Sequence, residues 1–203
     1  MMLELKNVTL VVDGSTLIAN LSMIAQGGRL LCVTGNAGSG KTMLARAIMG
    51  FVPIASGFIS IDGELLTPLS LRSFRRMMGY IPAVSAVVES AAVGEGSSPA
   101  PFVADLEGVW APGDATAEAT GDTVSRSAKT APEPFALSVL ASKQVIIADD
   151  PAPGLLPTLQ DMSASGRVVI VMSRRQEYLT AAQQLVTLAP SPQHTAPLET
   201  DLF

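Results

Sequence analysis

Apolar and polar positions alternate over residues 3–12, a stretch rich in β-branched side chains, and this predicts a half-buried strand. The alternation breaks at Asp13-Gly14, a hairpin signal, and residues 17–24 read as the return strand. Gln26-Gly27-Gly28 turns the chain into residues 29–34, whose apolar centre at 30–33 predicts a buried strand. Helical spacing follows over residues 43–49, stopped by Gly50 and kept from resuming by Pro53. Residues 57–63 read as a short strand closing in a turn, 70–76 as a basic helical turn and 78–82 as a strand. Further on, the pattern predicts a helix over 135–141 and core strands over 144–150, 167–173 and 184–188.

A chain of 203 residues suffices for one domain with an ample core. Hydrophobic content is 48%, yet no apolar run approaches the length that spans a bilayer. The opening residues lack the basic-then-apolar layout of a signal peptide, so the expected location is cytoplasmic. The single cysteine, Cys32, falls within a predicted core strand and reads as a small packed hydrophobe. A net charge of −5 argues against sequence-independent nucleic-acid binding, and no nucleic-acid partner is expected.

The composition shifts over residues 84–134, which hold 11 Ala, 10 Ser or Thr, 5 Gly and 5 Pro. Their 8 acids against 2 bases give −6, so the rest of the chain, at −5 minus −6, carries +1. Such a segment resembles a flexible connection more than a packed lobe. Within it, Phe102, Val103, Leu106, Val109 and Trp110 recur at helical spacing, with Ser98 and Pro99 placed to start a helix. The chain therefore divides into residues 1–83, the acidic stretch 84–134, a resumed fold over 135–189, and a tail over 190–203. His194, the only histidine, sits in that polar tail and is expected to be solvated.

The most specific chemistry lies between the third predicted strand and the first helix. Gly35-Asn36-Ala37-Gly38-Ser39-Gly40-Lys41-Thr42 fits the phosphate-loop pattern G-x-x-x-x-G-K-[ST]. Gly35 and Gly40 permit a tight concave turn, so that successive N–H groups converge at the positive end of a helix dipole. Lys41 is placed to reach the β- and γ-phosphates, and Thr42 to offer a hydroxyl to Mg²⁺. The strand over 144–150 ends in Asp149-Asp150. A carboxylate at the carboxyl end of a parallel strand lies near such a loop, where Asp149 would hold Mg²⁺ through water.

Residues 3–82 together resemble the amino-terminal half of an ABC-type ATP-binding domain. The resemblance rests on the leading strands, the phosphate loop, Ser56-Gly57-Phe58-Ile59-Ser60-Ile61-Asp62-Gly63, and Gly79-Tyr80-Ile81-Pro82 before the Q-loop position. The strand ending in Asp149 is similar to the Walker B motif. The resemblance implies an α/β fold: a P-loop NTPase sheet, an amino-terminal antiparallel β layer and, in place of the family's helical subdomain, a reduced helical arm. It also implies ATP and Mg²⁺ as cofactors, and as partners a membrane-spanning transporter subunit and a second ABC-type ATP-binding domain. The domain would then be peripheral to the membrane through its partner.

Against the family's pattern the chain departs at six positions. Val12 stands where an aromatic stacks on adenine, and Ala83 where the Q-loop glutamine falls. Ser127-Ala128-Lys129-Thr130-Ala131 replaces the LSGGQ signature, and Leu156 the D-loop aspartate. Asp150 stands for the base glutamate, one methylene shorter, and Arg174 for the switch histidine. The expected catalytic pair is thus Asp150 and Arg174, with ATP bound and its hydrolysis impaired. Two other expectations are a slow ATPase that uses Asp150 as base, and a regulatory or scaffold subunit that keeps a nucleotide pocket.

Overall fold

The computed structural model describes residues 1–83, 104–105 and 140–189. The first two strands, β1 (Met2–Val12) and β2 (Ser15–Gln26), pair antiparallel across Asp13 and Gly14. Both turn residues have positive φ, 49° and 76°, the backbone that a two-residue hairpin needs to match strand twist. Then come β3 (Leu30–Thr34), α1 (Lys41–Ile48), β4 (Ser56–Ile61) and β5 (Glu64–Leu65). After them lie α2 (Leu71–Met77), β6 (Met78–Ile81) and β7 (Ala104–Asp105). The chain resumes with β8 (Val145–Asp149), a 3-10 turn (Pro153–Leu155) and α3 (Leu156–Ala164). It closes with β9 (Val168–Met172), α4 (Gln176–Ala181) and β10 (Gln184–Thr187).

Two sheets result. One is antiparallel, in the order β2-β1-β4-β5, and forms the amino-terminal layer; the other runs β10-β3-β9-β8-β6-β7. Every pair in the second sheet is parallel except β6 with β7. Its central strands read as apolar runs because both of their faces are covered. Leu31, Val33, Val145, Ile147, Val168, Ile170 and Met172 pack with α1 and the antiparallel layer. The alternate residues Leu30, Cys32, Ile146, Ala148, Val169 and Val171 pack with Leu155, Leu159 and Tyr178 on the other side. Cys32 is fully buried and burial pushes its thiol up to about 11, as a packed hydrophobe would show.

The antiparallel layer turns on one glycine. β1 carries an irregularity between Lys6 and Thr9 opposite β4, and Gly57 faces it with φ +84°. A Cβ there would overlap the carbonyl oxygens of Asn7 and Lys6, which are backbone and cannot step aside. Gly57→Ala is expected to destabilise the fold by about 2–5 kcal/mol, the left-handed backbone and the overlap both contributing. Urea unfolding of the variant measures it.

On the far side of the loop helix, α2 does more than present charge. Arg75 is buried; its Nε donates to Met49 O at 3.2 Å and Nη2 to Gly50 O at 3.2 Å, where α1 ends. Its guanidinium also stacks 4.4 Å from the Phe51 ring. A cation on those last carbonyls suits the negative end of the α1 dipole and fixes the helix that carries the loop.

Two sequence expectations need correction or restriction. The amphipathic pattern over 102–110 predicts a helix, but Ala104 and Asp105 form a strand that pairs with Tyr80 and Gly79. An open sheet edge offers ladder hydrogen bonds that local spacing does not reveal. The remainder of that predicted helix, the rest of 84–134 and the tail beyond Ala189 lie outside the described residues. Of the helix over 135–141, Leu140 and Ala141 are helical and the rest lies outside them as well.

Candidate phosphate-binding site

Three parallel strands deliver the site. Met172 of β9 is level with Val33 of β3 and with Asp149 of β8, so the segments that follow these strands emerge at one end of the sheet. There the loop after β3 bends through Gly35, Gly38 and Gly40, with φ of 152°, 76° and 92°. Gly40 is the N-cap of α1, and a Cβ on it would press on Leu17 Cγ at 2.9 Å. The antiparallel layer therefore sits directly against the loop, and only glycine meets both demands at that position.

Lys41 holds the loop together. Its ammonium donates to Gly35 O at 2.7 Å, Asn36 O at 2.9 Å and Ser39 Oγ at 3.2 Å, which uses all three of its protons. Burial lowers its pKa and the Arg174 charge lowers it further, while Asp149 and Asp150 act in the opposite direction. Ser39 N donates to Asn36 O at 3.2 Å, closing the turn beneath it.

Asp149 is almost fully buried at the end of β8. Burial pushes its carboxyl above the ordinary range, and hydrogen bonds from Thr42 and Tyr80 partly restore the charged form. The Tyr80 bond measures 3.4 Å from Oη to Oδ2. Burial and the Asp149 charge together lift the Tyr80 phenol to about 12, so it stays a donor. Asp150 is half exposed and has φ 40°, a left-handed backbone. Its Oδ1 accepts from Ser173 Oγ at 3.1 Å and from Arg175 Nε at 3.4 Å.

These groups share one cavity of about 350 Å³. Its walls include Ala37, Gly38, Ser39, Gly40, Lys41 and Thr42 from the loop, with Asp149, Asp150, Arg174 and Ala83 opposite. The loop residues, the proposed metal pair and the expected catalytic pair are thus brought together. Gly35 and Asn36 contribute carbonyls to Lys41 rather than wall. Leu17 and Met43 line the cavity and Val12 does not; neither lining residue carries a signal in the sequence. Sequence reasoning also missed Tyr80, Ser173 and Arg175 as partners of the two acids. Leu156 packs against the second core cluster, so a hydrophobe there serves the interior. Nearby, Tyr178 Oη donates to Ala152 O at 2.6 Å and ties α4 to the segment after β8.

The donor set suits a hard cation. Thr42 and Asp149 offer a hydroxyl and a carboxylate already in contact. Among the described residues, no cluster of three or more His, Cys, Asp or Glu could hold a metal unaided. The Thr42 hydroxyl and Asp149 carboxylate fit Mg²⁺, which is bound through one or two protein oxygens with waters and phosphates completing its shell.

Removing the Asp149 charge gives a measurable sign. Its folded pKa lies above the ordinary 3.8, so the folded state holds more protons than the unfolded state across that interval. Stability contributed by this group is present at low pH and falls as pH rises through the interval. Asp149→Asn, without Mg²⁺, is expected to gain stability over the unmodified chain as pH climbs from about 4 to 7. Urea midpoints measured at both ends check the trend.

Fold and loop together define a domain of the P-loop class, a largely parallel α/β sheet with a glycine-rich phosphate loop between β3 and α1. Comparison with known proteins narrows the class. The ABC transporter family model matches residues 18–153, and the chain belongs to that family as one of its ATP-binding domains. It is 26% identical over 216 residues to the ABC transporter ATP-binding/permease protein Rv1747 of Mycobacterium tuberculosis, covering 93% of this chain and 24% of that protein. It is 35% identical over 79 residues to the manganese transport system ATP-binding protein MntB of Bacillus subtilis, covering 39% of this chain and 30% of that one. The chain spans between about a quarter and a third of the length of these curated relatives in the matched regions. Among solved structures, an ATP binding subunit of an ABC transporter aligns with TM-score 0.61 at 16% identity, over 93% of this chain and 86% of that one. That likeness establishes the fold.

Proposed function

We propose that this chain binds Mg-ATP through residues 35–42 as the nucleotide-binding part of an ABC-type transport complex, and that its own hydrolysis is impaired. The observation that carries the reading is the shared cavity, in which the loop, the Thr42–Asp149 pair and Arg174 face one another. Loop N–H groups and the α1 dipole receive the phosphates, and Lys41 adds a point charge. Thr42 and Asp149 would hold Mg²⁺, which when bound neutralises phosphate charge and orients the terminal phosphoryl group. Arg174 lines the same cavity and would add a cation facing the bound phosphates.

Hydrolysis needs a base aimed at water, and Asp150 is poorly suited to it. Its Oδ1 already accepts two donors, and its carboxylate is one methylene shorter than a glutamate. Ala83 faces the cavity with only a methyl group. A membrane-spanning subunit and a second ATP-binding domain are the proposed partners, and they would place the chain on the cytoplasmic side of a membrane. Among the described residues no helix is long and apolar enough to cross one.

Calorimetric titration tests the reading. Mg-ATP is expected to bind with a Kd between about 1 μM and 1 mM, and Mg-GTP to compete within about tenfold, or about 1.4 kcal/mol, because Val12 offers no ring to stack on a base. A chain that binds neither would be a scaffold that keeps only the shape of the pocket. Steady-state phosphate release by the chain alone would favour the slow ATPase with Asp150 as base.

A further inference from the structure

Arg174 lies between two residues held by the same carboxylate oxygen. On one side Ser173 is fully buried, with its N–H donating to Val33 O at 3.0 Å and its hydroxyl to Asp150 Oδ1 at 3.1 Å. On the other, Arg175 donates through its backbone N–H to Ser173 Oγ at 3.2 Å and through Nε to Asp150 Oδ1 at 3.4 Å. The segment after β9 is thereby fixed to the ends of both β3 and β8. Asp150 reaches this position with φ 40° and its own N–H on Met172 O at 2.8 Å. Non-glycine residues resist a left-handed backbone, Asp less than most, and such a conformation persists where the surroundings over-determine it.

We infer that Asp150 is a positioning residue for Arg174: by bonding Ser173 and Arg175 it holds the Arg174 guanidinium at the phosphate cavity, where it lets the site distinguish a nucleoside triphosphate from a diphosphate. This rests on the reading of residues 35–42 as a nucleotide site. It gives Asp150 a task opposite in sign to that of a base or a bare negative charge. An uncommitted carboxylate beside phosphates repels them, so its removal would strengthen triphosphate binding. A carboxylate that aims a cation does the reverse.

The size of the effect follows from exposure. Arg175 and Asp150 side chains are 40% and 51% exposed, so their ion pair alone contributes little, and the Ser173 bond adds to it. The ratio of ATP to ADP affinity, read by calorimetry in Mg²⁺ buffer, is expected to fall about tenfold in Arg174→Ala and about three- to fivefold in Asp150→Ala. The double variant should fall no further than Arg174→Ala, because the two side chains act through one contact. Asp150→Asn should stay within about twofold of the unmodified ratio, since an amide oxygen still accepts from Ser173 and Arg175. ADP affinity within about twofold throughout would show that each variant folds with its loop intact.

An unchanged or raised ratio in Asp150→Ala, or equal changes in Asp150→Asn and Asp150→Ala, would overturn the positioning role alone. An unchanged ratio in Arg174→Ala would remove the γ-phosphate contact on which the role depends. Failure of the unmodified chain to bind either nucleotide would overturn the nucleotide site itself, and the positioning role with it.

Discussion

Lys41→Ala is expected to weaken Mg-ATP binding at least about a hundredfold, beyond about 2.7 kcal/mol. Two losses combine. The first is the attraction of the Lys41 charge for phosphate, on the scale of a charge-assisted contact at about 1.5–3 kcal/mol. The second is the tie inside the loop, because the same ammonium bonds Gly35 O, Asn36 O and Ser39 Oγ. Without it, Gly35, Gly38 and Gly40 leave a backbone free to leave the concave shape, and ligand binding must then order it again. The losses can be separated with inorganic phosphate and adenosine as probes. Phosphate binding should disappear in Lys41→Ala, and adenosine affinity should stay as weak as in the unmodified chain. Thermal unfolding without ligand should change little, since Lys41 is only partly buried and contacts nothing beyond its own loop in these bonds. Equal Mg-ATP affinity in the variant and the unmodified chain would remove residues 35–42 from the binding site.

The parts of the fold legible in the sequence are those whose burial is simple. β3, β8 and β9 are covered on both faces and appear as uninterrupted apolar runs, while Asp13-Gly14 marks its hairpin by the φ values it must adopt. The phosphate loop is legible because glycine spacing, lysine and threonine act within eight consecutive residues. The 3-10 turn and the short helices α3 and α4 have no such signature, and the sequence pattern does not mark them. Their apolar positions, Leu155, Leu159 and Tyr178, are few, and Pro153 and Pro157 sit at helix starts where they read as breaks. The bonds of Tyr80 to Asp149 and of Ser173 and Arg175 to Asp150 depend on which strand ends come level. That register is a tertiary outcome, and residues 69 and 25 positions apart in the chain carry no local trace of it. Arg75 shows the same limit, since a basic helical turn gives no indication that one of its cations is buried against α1.

Restoring the family's residues is not expected to restore turnover in the isolated chain. Ala83→Gln, Asp150→Glu and Arg174→His act on one cavity, and together they would return a metal-sensing amide, a longer carboxylate and an imidazole. On chemical grounds alone each change favours attack on the γ-phosphate. Resemblance to the family implies a further requirement, that ATP is closed between this loop and the signature of a second domain. Backbone N–H donors from such a signature would stabilise charge that develops in the transition state, which side chains on the loop side cannot reach. Residues 127–131, Ser-Ala-Lys-Thr-Ala, contain no glycine pair to present those donors, so a second copy of this chain would not complete the site. The triple variant alone should therefore release phosphate no faster than the unmodified chain, at any protein concentration. Mixed with an ABC-type domain that keeps its signature and pairs with it, the triple variant should turn over at least about tenfold faster than the unmodified chain in the same mixture, a barrier lower by about 1.4 kcal/mol. Vigorous turnover by the triple variant alone, independent of its concentration, would show that no partner site is needed. Turnover by the unmodified chain alone would weigh more heavily, because Asp150 would then serve as a base in spite of its bonds to Ser173 and Arg175.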